Sequence, residues 1–227
     1  MGRWRMRALL FDVYGTLVDV HGIAAAADAL FPGRGAALSA LWRTRQIDYT
    51  RLRTLSDRHA DFEVVTADAL DFAAEKLGLP LTSASRAELL ERYLTLPAFP
   101  DAAPALATLK TGGLRLGVLS NGTPRMLEQA LGAAGIRDLL DHELSVEAAG
   151  RFKTAPEAYR LGPEALGLPA GAIGFVSSNG WDVAGAGWFG YATFWVNRTN
   201  EPRERLGIAP MGTGRTLHDL VAWATSA

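Results

Sequence analysis

The chain has 227 residues, with 23 basic side chains against 24 acidic ones and no cysteine. A near-neutral balance offers no electrostatic footprint for nucleic acid or an anionic membrane. The lack of cysteine excludes a disulfide framework, a thiolate nucleophile and cysteine-ligated zinc or iron–sulfur sites.

The length suits one large domain, or a core carrying a smaller inserted one, and the partner expected on these grounds is a small molecule. The opening Met-Gly-Arg-Trp-Arg-Met-Arg has the charge of a signal-peptide n-region, but the apolar run behind it stops at Asp12, too short for an h-region. No run approaches the roughly 20 apolar residues of a membrane helix, so the expectation is a soluble cytoplasmic protein. Residues 8–11 read as a buried strand. Asp12 follows and opens Asp-Val-Tyr-Gly-Thr at 12–16, where the strand gives way to a glycine turn. The ends of such strands are where α/β folds keep their chemistry. Two residues on, where a second Asp would suggest a magnesium-dependent phosphoryl-transfer site, stands Tyr14. A lone carboxylate makes a poor magnesium site. It still serves as a nucleophile when nearby cations keep it ionised and an electrophilic carbon is held in line. The residues alone leave two readings of Asp12 open: a turn or helix-cap carboxylate, and the nucleophile of a metal-free covalent hydrolysis.

From Leu17 to about Pro97 the pattern is helical only, with amphipathic stretches at 36–50, 65–77 and 85–93. This predicts a helical cap subdomain, residues 18–97, inserted into a core built from 1–17 and 98–227. A cap so placed closes over the crevice and excludes water. Past it, apolar runs at 114–119, 173–176 and 192–196 end in Ser-Asn-Gly, Ser-Ser-Asn-Gly and Asn197, and read as buried parallel strands. Helical stretches at 102–110, 124–134, 156–166 and 182–189 alternate with them. The alternation predicts an α/β fold, a doubly wound parallel sheet with right-handed crossovers and all the polar strand ends on one edge.

Along these elements the chemistry-bearing residues fall in order. Lys153 is an oddity of composition, since lysine occurs only at 76, 110 and 153 and arginine is the default cation. A compact ammonium there suits an anionic site. Ser120 and Asn121 are favourable turn residues that also offer donors for a substrate carboxylate. Thr16 and the turn amides can orient Asp12. Tyr14, Trp42, Phe62 and Trp181 are candidates for a dry pocket wall, and Asp182 is placed to cap the helix it begins. Arg45, Arg51 and Arg53 read as solvated, and His21, His59, His142 and His218 as structural or solvated.

Asp-Val-Tyr-Gly-Thr at 12–16, Leu-Trp-Arg-Thr-Arg-Gln-Ile-Asp-Tyr-Thr at 41–50, Ser-Asn-Gly at 120–122, Lys153 with Tyr159, and Ser-Ser-Asn-Gly-Trp-Asp at 177–182 together resemble the haloacid dehalogenase superfamily. Within it they resemble the L-2-haloacid (type II) dehalogenases, over nearly the whole chain. The resemblance implies a Rossmann-like core and hydrolysis of short L-2-haloacids to D-2-hydroxyacids with no cofactor and no metal. Asp12 is then the nucleophile: it displaces halide at C2 and is left as an ester, which water opens at the carboxyl carbon. Arg43 reaches over the substrate and steadies the departing halide. Lys153 stabilises ionised Asp12 and the ester-hydrolysis oxyanion. Asn179 and Asp182 position Lys153 and the water, with Asp182 the candidate base and Ser177 beside them. Tyr159 follows Lys153 at the family spacing, on the substrate side. One departure stands out: Thr154 and Ala155 separate Lys153 from Pro156, where a common form of the motif has proline directly after the lysine. The family also implies a homodimer. The rival readings are a metal-independent hydrolase of another 2-substituted carboxylic acid, a magnesium-dependent phosphatase, disfavoured by Tyr14 and the Ser177-Ser178 pair, and a non-catalytic binding protein.

Overall fold

The structure is a computed structural model that describes residues 6–226, so most of the basic N-terminal string read above lies outside the described residues. Among the described residues six strands make one sheet: β1 (Ala8–Phe11), β2 (Arg115–Ser120), β3 (His142–Ser145), β4 (Ile173–Ser177), β5 (Ala192–Val196) and β6 (Gly212–Gly214). Their order is β3-β2-β1-β4-β5-β6, and each neighbouring pair is parallel. The doubly wound expectation holds. Strands β1, β4 and β5 are buried along their whole length, as continuous apolar runs demand when helices cover both faces. Each fully buried Leu or Phe among them contributes roughly 2–3 kcal/mol.

The two edge strands are not in the sequence reading, and the reason is physical. His142–Ser145 is polar and largely half-buried or exposed, and Gly212–Gly214 has no apolar side chain. An edge strand with solvent on one side needs no hydrophobic run, and a charged or short one resists pairing with other chains.

Register decides what meets at the top of the sheet. Phe11 lies beside Val118 on one side and Val176 on the other, and Ser177 beside Trp195. The residues that follow, Asp12 and Ser120 with Ser177, therefore emerge at one edge. Around the sheet lie α5 (Ala102–Thr111), α6 (Pro124–Ala133), α7 (Pro156–Leu166), α8 (Gly180–Phe189) and α9 (Leu217–Ser226). Local chemistry sets their starts: Thr123 accepts the Met126 N–H at 3.2 Å, and Pro124 and Pro156 open α6 and α7.

Between β1 and α5 the chain makes a helical excursion of α1 (Ile23–Leu30), α2 (Gly35–Leu55), α3 (Phe62–Lys76) and α4 (Ser83–Leu94). Helix α2 runs five residues beyond the predicted stretch, and α1 adds a helix in the Ala-rich segment. Asp61 and Thr82 cap α3 and α4 through their side chains. The outgoing and returning limbs are stitched together, Asp19 N–H to Pro97 O at 2.8 Å and Phe99 N–H to Leu17 O at 2.9 Å.

Candidate active site

The turn after β1 explains the arrangement around Asp12. Gly15 takes φ +91°, a conformation that L side chains rarely adopt. The amides of Thr16, Leu17 and Val18 all donate to the Val13 carbonyl. The chain thus folds back on itself, and the Thr16 hydroxyl donates to Asp12 Oδ2 at 3.0 Å. That hydroxyl in turn accepts the Ser178 N–H at 2.8 Å. Asn179 Nδ2 adds a second donor to Oδ2 at 2.9 Å, while Lys153 Nζ donates to Oδ1 at 3.2 Å. Asp12 is buried, with 6% of its surface exposed. A carboxylate there needs such company.

Lys153 sits between two carboxylates. Its ammonium donates to Asp182 Oδ2 at 2.9 Å and lies 4.9 Å from the centre of the Phe175 ring. Its backbone N–H is held by Asn121 Oδ1 at 3.0 Å. Burial pulls the lysine toward its neutral form, but Asp12 and Asp182 outweigh that, so its pKa is raised and it stays charged. Asp182 moves the other way from an ordinary ion pair. Burial pushes it up and the Asp12 charge adds to that, against Lys153 and Tyr159, leaving it at about 6.

Tyr159 donates to Asp182 Oδ1 at 2.7 Å. The approach depends on Gly185, where a Cβ would come within 2.6 Å of the tyrosine oxygen. Burial, with Asp182 beside it, raises the Tyr159 pKa well above its usual value, so it remains a neutral donor.

Arg43 comes down from α2. Its guanidinium donates to the Tyr14 carbonyl at 3.2 Å and to Asn179 Oδ1 at 3.5 Å. Over Asp12 lies a cavity of about 10 Å³, room for roughly one water, walled by Tyr14, Arg43, Phe62, Ser120, Asn121 and Trp181 among others. The Tyr14 ring packs on Tyr93 and Phe62 at 5.5 and 5.9 Å, and its buried hydroxyl has no hydrogen-bond partner among the described residues. Larger hollows lie elsewhere, including a groove of about 580 Å³ between α3, α4 and α6. Size alone would point to that groove, but Asp12, Lys153 and Asp182 do not line it.

Several sequence readings need correction. Tyr159 is not on the pocket wall; it is fully buried behind Asp182. Ser177 touches neither Asp12 nor Lys153 in any hydrogen bond, and its hydroxyl accepts the Asn179 N–H at 3.1 Å. Trp42 belongs to the interior of the helical excursion, donating to the Thr66 carbonyl at 2.8 Å. Asp182 does not cap α8: the helix starts at Gly180 with Asn179 in the cap position, and the aspartate lies in the first turn. Arg51 is exposed, yet its guanidinium sits 5.2 Å from the centre of the Trp181 ring.

Other supporting residues are not evident from the sequence. Fully buried Gln46 accepts from Arg43 Nη1 at 2.8 Å and from the Tyr93 hydroxyl at 3.0 Å, and donates to Thr66 at 2.7 Å. The i, i+3 spacing from Arg43 on one helix face is the signal that finds it. Ser178, inside the Ser-Ser-Asn-Gly-Trp-Asp string, holds the nucleophile turn twice, through its backbone N–H on the Thr16 hydroxyl and through its own hydroxyl on the Gly15 carbonyl at 2.6 Å.

A parallel sheet that delivers a carboxylate and a lysine to one edge, beneath a helical insertion, is the plan of an α/β hydrolase working from a strand-end aspartate. The chain belongs to the haloacid dehalogenase-like hydrolase family, whose model matches residues 6–190. It is 44% identical over 205 residues to the (S)-2-haloacid dehalogenase of Pseudomonas sp. (strain YL), covering 90% of this chain and 88% of that protein. The solved L-2-haloacid dehalogenase RSc1362 superposes with a TM-score of 0.96 at 51% identity, covering 97% of this chain and 99% of that one. The L-2-haloacid dehalogenase from Xanthobacter autotrophicus, solved with chloropropionic acid covalently bound, superposes with a TM-score of 0.91 at 36% identity over 97% and 98% of the two chains.

Proposed function

We propose that this protein hydrolyses short L-2-haloacids to D-2-hydroxyacids through a covalent ester on Asp12, without metal or cofactor. One observation carries the reading: Asp12 Oδ1 meets Lys153 Nζ at 3.2 Å while Thr16 and Asn179 hold Oδ2, beneath a small cavity that Arg43 walls. The covalently bound chloropropionic acid of the Xanthobacter relative supports it.

In this mechanism residues 18–97 act as the cap over a core of 1–17 and 98–227. Ser120 and Asn121 receive the substrate carboxylate, and Tyr14, Phe62 and Trp181 enclose the C2 substituent. The Asp12 carboxylate attacks C2 opposite the carbon–halogen bond, forming a C–O bond as halide leaves toward Arg43. The configuration at C2 inverts. A guanidinium keeps its charge at any working pH, which suits an anionic leaving group. Water then adds to the Asp12 carboxyl carbon and gives its proton to Asp182, while Lys153 offsets the oxyanion charge. Collapse expels the product alkoxide, which takes the proton back from Asp182, and the Asp12 carboxyl gives up the remaining proton to regenerate the carboxylate. Haloacid and water thus give hydroxyacid, halide and a proton. The partners are the haloacid and halide, and we extend the reading to a cytoplasmic homodimer on the family resemblance.

Halide release from racemic 2-chloropropanoate tests the proposal. Half of the substrate should be consumed, with D-lactate as product and the rate unchanged by excess chelator, because Tyr14 stands where a second metal-binding carboxylate would be needed. A magnesium requirement would instead favour a phosphatase.

Asp182 must be ionised to take the water's proton, so the rate should fall as pH drops through about 6. The Tyr159 hydroxyl stabilises the ionised form and thereby lowers the Asp182 pKa. Tyr159→Phe should therefore move the acid limb of the kcat profile to higher pH. An acid limb that stays in place in this variant would remove Asp182 from the base role.

A further inference from the structure

The sheet has a fourth polar strand end, at Asn197, which the proposed chemistry leaves unused. Asn197 itself closes a turn: its Oδ1 accepts the Glu201 N–H at 2.8 Å and its Nδ2 donates to the Glu201 carbonyl at 2.9 Å. The next residue turns back toward the site. Arg198 Nη1 and Nη2 donate to the two oxygens of Asp101 at 2.9 and 3.0 Å, and Nη2 also donates to the Thr16 carbonyl at 3.0 Å. Its guanidinium carbon lies 3.9 Å from the centre of the Phe99 ring. Little of the pair faces solvent, with side-chain exposures of 17% and 10%. Asp101 is further fixed by the Leu217 N–H at 2.8 Å.

We infer that Arg198, anchored by Asp101, is a positioning residue that aligns the nucleophile through Thr16. The inference rests on the reading of Asp12 as nucleophile. Thr16 is held at both ends, its hydroxyl on Asp12 Oδ2 and its carbonyl under Arg198. The peptide plane between Thr16 and Leu17 is held at its oxygen by Arg198 and at its N–H by the Val13 carbonyl at 2.9 Å, which limits its tilt and lets the hydroxyl keep the carboxylate facing the substrate carbon. The same cation fastens the root of the helical excursion, because the Phe99 beneath it donates its N–H to the Leu17 carbonyl. One side chain thus ties the nucleophile turn, the returning limb and the end of β5 together. The task calls for arginine. A planar guanidinium spans a carboxylate and a carbonyl while lying flat on a ring; a compact ammonium satisfies one of these partners at a time.

A double-mutant cycle of Arg198→Lys and Thr16→Ala tests this, with kcat and KM for 2-chloropropanoate and the thermal midpoint measured for each protein. Arg198→Lys keeps the charge beside Asp101 and should stay folded, with KM within about two-fold and kcat lowered about ten-fold, as small misplacements of a reacting group do. In the Thr16→Ala background the same change should cost less than about two-fold, because the route to Asp12 is already cut. A purely structural role predicts a kcat loss that tracks the thermal midpoint and persists undiminished in that background; either that pattern or a parental kcat in Arg198→Lys overturns the inference. Should Arg198→Lys fail to fold, Asp101→Asn, which keeps an acceptor for Leu217 and removes the anchoring charge, is read in the same cycle with the same outcomes. A parent protein that releases no halide overturns the nucleophile reading, and the inference with it, before any variant is made.

Discussion

Asp12→Ala should lower halide release from 2-chloropropanoate to near the uncatalysed level, a loss of about 10⁴-fold or more. The side chain is the reacting group, and its carboxylate neighbour cannot replace it: Asp182, which shares Lys153 with it, is committed to Lys153 and Tyr159. Oxygen isotopes make the test specific to a covalent path. In a single turnover with enzyme in excess, run in heavy-oxygen water, the product's new oxygen should be the light one originally on Asp12. The label should appear in the Asp12 carboxylate, and later turnovers should pass it to product. If Asp12 merely activated water, the first hydroxyacid formed would already be labelled and the peptide containing Asp12 would remain light. Mass spectrometry of both species separates the two outcomes.

Lys153→Arg should retain the fold and lose roughly 10³-fold in turnover, in line with removal of a well-placed donor to a developing oxyanion. The ammonium occupies a closed space, reaching Asp12 at 3.2 Å and Asp182 at 2.9 Å with the Phe175 ring alongside. A guanidinium brings the charge but not the shape, and its breadth displaces one carboxylate or the other. Lys153→Met should do worse in a second way. It leaves two buried carboxylates without their shared cation, which destabilises by about 3–5 kcal/mol if both remain charged. A denaturant midpoint measured with the kinetics distinguishes the two variants. Turnover by Lys153→Arg close to the parent's would return Lys153 to a structural role.

Lys153 lies within about 3 Å of both Asp12 and Asp182, and the expected acid limb near pH 6 follows Asp182, which burial pushes up to about 6. Tyr159 matters in this context as a fixed neutral donor that biases Asp182 toward its ionised form.

Much of this protein was legible before any coordinates. Strands β1, β2, β4 and β5 carry continuous apolar runs because helices cover both faces, and each ends where a polar residue meets the ligand edge. The identities of Asp12, Arg43, Lys153 and Asp182, and of Tyr14 in place of a second acid, are properties of the string, and with them comes the chemistry the site can support. Tertiary structure alone decided how those groups meet. Lys153 lies 141 positions from Asp12 and 29 from Asp182, and only the parallel register of β1 and β4, with Lys153 brought to the same edge, places one ammonium between both carboxylates. The same holds for Thr66 and Tyr93, which hold Gln46 behind Arg43, and for Arg198 behind Thr16, whose influence passes through another side chain or a backbone carbonyl. Residue type fixes what a group can donate or accept; packing across distant segments fixes to whom, and that pairing sets charge, alignment and reactivity.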